Sequence, residues 1–246
     1  MESYLGFSAV YDKLIKEDIN YEEIAEFILK EAKDRKNYLD LGCGTGNLSS
    51  IIGKHFNETY LVDLSPDMLT LAEDKFNKLG IRHRLFAISM ADFSFDETFS
   101  LITSSIDALN YLLTEEELQS FFAHVYDHLE KDGVFIFDIN SAYKLEQVLG
   151  NNNFVYTEDD LVYTWENYLE DDILEMYLNF FIKSGTLYER IEEVHYEKVY
   201  PLEEILFQLE KAGFKEIKLS DSYGQGEIRE ETERITFTVR KEVNHG

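Results

Sequence analysis

One cysteine, two prolines and only 23 basic residues against 49 acids are the scarcities of this 246-residue chain, and each removes a class of explanation. A lone Cys43 leaves no intrachain disulfide and no cysteine-built metal site, and no metal is expected. Two prolines beside 44% hydrophobic residues exclude a low-complexity or disordered chain. The net charge of −26 comes with no basic cluster to offset it. Lys and Arg contacts to phosphates supply most nucleic-acid affinity, so no nucleic-acid partner is expected. No apolar run approaches the roughly 18 residues that a membrane-spanning helix needs, and the N-terminus has no charged segment leading into an apolar core. No membrane association is expected, and a cytoplasmic location is.

What the chain does have is a glycine turn in a telling place. Tyr38-Leu39-Asp40-Leu41 reads as an apolar strand, Gly42-Cys43-Gly44-Thr45-Gly46 as a turn, Asn47-Leu48 as a helix start, and Tyr60-Leu61-Val62-Asp63 as a second strand ending on an acid. Asp63 falls 21 residues after Gly42, a separation that suits a strand-helix-strand unit. In an open α/β sheet this order sets backbone amides against a ligand and a carboxylate where ribose hydroxyls would sit. Gly42 and Gly44 permit positive φ and a close ligand, and Gly46 lets the following helix start close to the sheet. The unit reads as a nucleoside site.

Elsewhere the pattern alternates. Ile24, Phe27, Ile28 and Leu29 set an apolar stripe on a helix over roughly residues 20–34. Strands near 37–41, 58–63, 82–88, 99–105 and 132–139 alternate with helical segments, and their near-continuous apolar runs predict a parallel sheet covered on both faces. From about 150 to 200 the text turns strand-like and aromatic, with Asp171-Asp172 and Lys183-Ser184-Gly185 at hairpin spacing. Tyr156, Tyr163, Trp165, Tyr177, Tyr188 and Tyr196 there could supply aromatic surface for an acceptor or simply core. A helix from Pro201 to Gly213 and two further strands return to the first pattern.

Asn47 stands where a dinucleotide fingerprint carries its third glycine. The run Asp40-Leu41-Gly42-Cys43-Gly44-Thr45-Gly46 instead closely resembles the first motif of class I S-adenosylmethionine-dependent methyltransferases, and Val62-Asp63-Leu64-Ser65-Pro66-Asp67-Met68-Leu69 looks like the second. The expected fold is therefore α/β: a Rossmann-like, mostly parallel sheet with a reversed terminal edge strand, plus an inserted antiparallel β lobe. Residues 1–140 and 200–246 would form the cofactor domain, and 141–199 the insert and substrate lobe. The expected activity is methyl transfer from S-adenosylmethionine to a small-molecule acceptor, with in-line geometry and no metal.

The resemblance also implies site residues. Gly42 and Gly44 would approach the methionyl part, Asp63 the ribose, and Leu64 and Met68 the adenine faces, with Asp40 and Cys43 in the same motif. Many relatives place an acid at the end of the third strand to bond the adenine amine. Here Ser89 takes that position, Met90 would offer its backbone amide, and Asp92 is the alternative if the register slips. Ser105 and Ile106 would line the methionyl end, and Tyr11, in an N-terminal aromatic segment with Tyr4, Phe7 and Asp12, would close over the cofactor. Asn110 and Tyr111 are candidates to face the acceptor, although Asp107, Asn110 and Tyr111 could equally fix the next helix, whose Thr114 and Glu117 have capping-box spacing. His195, beside Glu193, is the candidate general base. Two other readings stay open: an NAD(P)-dependent oxidoreductase, and a non-catalytic S-adenosylmethionine-binding regulatory protein. Neither the acceptor atom nor the oligomeric state can be read from these residues.

Overall fold

The computed structural model describes residues 19–158 and 160–241. Its centre is a seven-stranded sheet built from β1 (Asn37–Leu41), β2 (Glu58–Asp63), β3 (His83–Ala87), β4 (Phe99–Ser104), β5 (Leu129–Asn140), β10 (Glu216–Asp221) and β11 (Arg234–Arg240), in the order β10-β11-β5-β4-β1-β2-β3. The inner strands are apolar on both faces because both are covered; β4 is buried at every residue. On one face Tyr38, Leu101 and Ile136 meet Ala25 and Ile28 of α1 (Tyr21–Glu31) and Leu48 and Ile52 of α2 (Asn47–Gly53). Leu61 of the same face packs on Ala72 and Phe76 of α3 (Pro66–Leu79). On the other, Leu39, Val62, Phe135 and Phe137 meet Phe121 and Phe122 of α4 (Glu115–His128) and Ile205 and Leu209 of α5 (Leu202–Ala212).

Strand order decides where a ligand can sit. The chain runs outward from β1 to β2 and β3, then crosses to the other side of β1 for β4 and β5. Loops leaving the carboxyl ends of β1 and β4 consequently diverge and leave a crevice at this switch point. The reversed strand is β11, antiparallel to β5 and β10 alike; it is inserted between them, so β10 is outermost.

The antiparallel lobe follows β5. After a short π-helical turn (Lys144–Leu149) come β6 (Asn153–Thr157), β7 (Leu161–Glu170), β8 (Ile173–Ser184) and β9 (Leu187–Lys198), paired in sequence order. Both expected hairpins form: Asp171-Asp172 joins Glu170 to its partner Ile173, with Asp171 at φ +54, and Gly185, at φ +65, opens the turn between Ser184 and Leu187. The lobe has a small core of Leu145, Leu149, Leu174, Met176 and Val199. It touches the main body at Met68 of α3, which packs against Leu161 and Phe180. Among the described residues no helix is long and apolar enough to cross a membrane.

Candidate active site

The glycine turn is held by the neighbouring strand. Gly42 and Cys43 both donate their N–H to the Val62 carbonyl, at 2.8 and 3.0 Å. Gly44 donates to Oδ2 of Asp63 at 2.8 Å, and Oδ1 of Asp63 accepts from Ser65 at 2.9 Å. Asp63 thus ties the first turn to the start of α3. Burial raises its pKa, and the amides of Ser65 and Gly44 work the other way.

The glycines differ in why they are needed. A Cβ on Gly42, at φ +75, would lie 2.8 Å from the Ala108 Cβ, whereas one on Gly44, at φ +53, would meet nothing within 4 Å. Gly42 is crowded by protein and Gly44 faces open space. The close approach at Gly46 is to α3, not to the sheet as the sequence suggested: a Cβ there would lie 3.1 Å from Ala72 and 3.3 Å from Phe76. Asn47 accepts a hydrogen bond from Lys75 Nζ, which also reaches the Thr45 carbonyl at 2.8 Å, so this position braces the turn against α3.

Two recesses meet at this turn. The larger, about 320 Å³, runs past Asp63, Leu64 and Met68 on one side and Ile88 and Met90 on the other, over Ile106-Asp107-Ala108, to Tyr111 and His195. The smaller, about 70 Å³, lies between Asp40, Cys43, Ser105 and Tyr21 and shares Gly42, Gly44 and Ile106 with the first. Leu64 is largely exposed at the mouth. The larger volume falls at the lower end of the range for small-molecule sites, about 300–1,000 Å³.

Most of the residues singled out from the sequence gather here, though not all. Asp40 is buried, accepting from Thr103 Oγ1 at 2.7 Å and from Ser49 Oγ, and burial pushes its carboxyl up to about 6. Burial likewise raises the Cys43 thiol well above its usual pKa, which suits a small filler and not a nucleophile. The Ser89 hydroxyl accepts from the Ala91 N–H at 3.1 Å, and Ile88 and Met90, not Ser89, line the recess. Asp92 is exposed. Tyr11, with Tyr4, Phe7 and Asp12, lies outside the described residues.

Asn110 is a correction. It is wholly buried, its Oδ1 accepting from the Asn140 N–H at 2.9 Å and its Nδ2 donating to the carbonyls of Lys198 at 2.9 Å and Asn140 at 3.3 Å. The amide thus fastens β5 to β9, and Asn110 lines neither recess, so it does not face an acceptor there. Tyr111 and His195 do face the larger recess, joined hydroxyl to Nδ1 at 3.1 Å. Burial lowers the His195 pKa, partly countered by Asp107. Thr114 and Glu117 form the expected capping box at the start of α4. None of the six aromatic residues noted in the insert lines either recess; Tyr156 and Tyr163 instead stack on each other at 4.4 Å.

Sequence reading missed Tyr21, Ile88, Ala108, Asp138 and Arg234. Ile88 and Ala108 adjoin recognised segments and were within reach of it. Asp138 and Arg234 carry no local signal: their partners come from loops far away in the chain.

The family described as "Methyltransferase domain" matches residues 39–133. The crystal structure of a S-adenosylmethionine-dependent methyltransferase from Clostridium acetobutylicum ATCC 824 superposes with a TM-score of 0.92 at 40% identity, covering 98% of this chain and 99% of that one. A putative methyltransferase from Geobacillus sp. (strain WCH70) is 30% identical over 97% of this chain and 100% of its own length. A dTDP-3-amino-3,4,6-trideoxy-alpha-D-glucopyranose N,N-dimethyltransferase from Streptomyces venezuelae is 32% identical over 114 residues, 46% of each chain.

Proposed function

The chain belongs to the S-adenosylmethionine-dependent methyltransferases, and from that premise we propose that it methylates a small amine-bearing molecule held between the glycine turn and the inserted sheet. One observation carries the reading: a single recess continues from Asp63 at the first crossover to His195 of the insert. A donor lying along the turn and an acceptor under the insert would share it.

The residues present fit the donor. Gly44 leaves open the space that any side chain would fill, and Asp63 has carboxylate oxygens beside it. Leu64, Met68, Ile88 and Met90 offer apolar walls for a purine, with Asp40, Ser105 and Ile106 around the smaller recess for the amino-acid arm. When bound, S-adenosylmethionine supplies an electrophilic methyl on a sulfonium sulfur. The protein's part is then to align the acceptor and exclude water.

His195 is suited to hold the acceptor's proton. Its Nδ1 faces the Tyr111 hydroxyl, and its Nε2 is buried with no hydrogen-bond partner among the described residues. Burial favours the neutral ring, and in the tautomer with the proton on Nδ1 the Nε2 lone pair has no partner among the described residues. Tyr111 Oη would take the Nδ1–H and keep that tautomer. An amine is favoured over a hydroxyl by the partial match to an enzyme whose name is that of an amino-sugar dimethyltransferase.

The test is to incubate the protein with methyl-labelled donor and paired acceptors, amino sugars and their hydroxyl counterparts, and weigh the products by mass spectrometry. Label in the amino members alone supports the proposal. Label in the hydroxyl members alone assigns an oxygen acceptor, and a donor-binding protein that labels neither pair is not accounted for by it.

A further inference from the structure

We propose that Asp138, with Arg234 as its counter-ion, is a positioning residue that fixes the Ile106-Asp107 turn and, through it, the methionyl end of the donor site. The inference rests on the reading of this cavity as the place of methyl transfer.

Asp138 lies on β5 with its side chain wholly enclosed. Its Oδ1 accepts from the Ile106 N–H at 2.6 Å and from the Tyr223 hydroxyl, and its Oδ2 accepts from the Asp107 N–H at 3.0 Å and from Arg234 Nη1. Four donors therefore converge on one carboxylate, two of them successive backbone amides.

Those amides belong to an unusual segment. Ile106 and Asp107 have φ of +61 and +55. The left-handed region is uncommon for any residue with a side chain, and for a β-branched isoleucine it is a true outlier that persists only where surrounding contacts enforce it. Strain of this kind points to function when it lines a site. Ile106 borders both recesses, Asp107 the larger one, and the adjoining Ala108 crowds Gly42. Ile106 is thus shared by the two recesses, together with Gly42 and Gly44.

Arg234 completes the device. Its Nη1 bonds Asp138 while its Nη2 bonds the Asp107 carboxylate at 2.6 Å and reaches Asn140 Oδ1 at 3.4 Å. One guanidinium thus holds the turn by its side chain while Asp138 holds it by its backbone. Burial opposes the charge on Arg234, but the two carboxylates outweigh it and raise its pKa. A planar fork can bridge two acceptors in fixed geometry and a lysine cannot.

The experiment uses the full chain and two adenosine ligands that differ only at the amino-acid arm, S-adenosylhomocysteine and 5′-methylthioadenosine. Calorimetry on Asp138→Asn is expected to lower S-adenosylhomocysteine affinity about tenfold or more, as loss of hydrogen bonds to a charged group implies. Methylthioadenosine affinity should stay within about threefold, because the adenosine end is distant from the change. Arg234→Lys keeps the charge and removes the fork, and it should show the same split to a smaller degree; it decides the matter if Asp138→Asn fails to fold. In the wild type, hydrogen exchange at the Ile106 and Asp107 amides should be slow. Equal loss for both ligands, no change in a folded variant, or rapid exchange at both amides overturns the inference while leaving the site reading intact. A wild-type protein that binds neither ligand overturns the site reading, and this inference with it.

Discussion

The Tyr111 hydroxyl lies 3.1 Å from Nδ1 of His195, and the two rings meet edge to face with centroids 5.9 Å apart. Tyr111 ends the turn after β4 and His195 is on the last strand of the insert, so this contact joins the two bodies at the wall of the larger recess. If His195 takes a proton from the acceptor, His195→Ala should lower turnover by about 10²–10⁴, the usual range for loss of general-base help. Donor affinity should stay within about threefold, the additivity expected of separate sites. Calorimetry with S-adenosylhomocysteine beside steady-state kinetics separates the two effects.

The same pair predicts a pH dependence. A base must be unprotonated, so turnover should fall as pH drops through the His195 pKa, which burial holds below its usual 6.5. Activity should be level through pH 7 and decline only in more acidic buffer. Tyr111→Phe should move that inflection, since it removes the Nδ1 partner. A rate that shows no acid limb in either protein counts against His195.

Asp63→Ala should weaken donor binding by about 1.5–3 kcal/mol, the range for hydrogen bonds to a charged group. The carboxylate also holds Gly44 and Ser65, so a parallel thermal melt is needed to show that the folded state survives. Unchanged affinity in a folded variant would remove Asp63 from the ribose.

Gly42 and Gly44 should answer alanine differently. At Gly42 the new methyl would press on Ala108 as well as sit on a left-handed backbone, so Gly42→Ala should cost about 1–3 kcal/mol for overpacking on top of about 1–2 kcal/mol for the backbone. Gly44→Ala meets no protein atom and should lose only about 1–2 kcal/mol from its left-handed backbone, while donor affinity falls further because the methyl occupies ligand space. Denaturant titrations beside calorimetry would reveal the contrast. Equal effects at both positions would mean that Gly44 does not face the donor.

Glu197, buried and bonded to Asn140 Nδ2 at 2.8 Å, gives a prediction about stability. Burial, helped by Asp107, pushes its carboxyl up from 4.5 to about 8. Between those values the folded chain keeps a proton that the unfolded chain releases, so the contribution is full below pH 4.5 and is lost as pH rises toward 8. Glu197→Gln should therefore flatten this decline, gaining on the wild type at pH 8 relative to pH 5 in urea unfolding. Parallel curves for the two proteins would show that Glu197 does not titrate in this window.

Local chemistry explains why much of this was readable. The glycine turn, Asp63, the capping box at Thr114 and the hairpin turns at Asp171 and Gly185 each depend on residues close in sequence, where backbone freedom and side-chain reach act over a few positions. Near-continuous apolar strands and amphipathic helices likewise announced a covered parallel sheet and a separate antiparallel lobe, because burial writes itself into periodicity. The roles of Asn110, Gly46 and Asp138 were set otherwise. Asn110 is a fastener only because the topology brings the Lys198 carbonyl to it across 88 positions, and Gly46 is small because α3 returns against it. Asp138 meets Ile106, Tyr223 and Arg234 across 32, 85 and 96 positions, and nothing about a lone aspartate on a strand names such partners. Sequence alone determined the elements and the glycine turn; tertiary structure decided which polar side chains reach the recess and which are engaged in holding it, since a hydrogen bond depends on which partner arrives within about 3 Å.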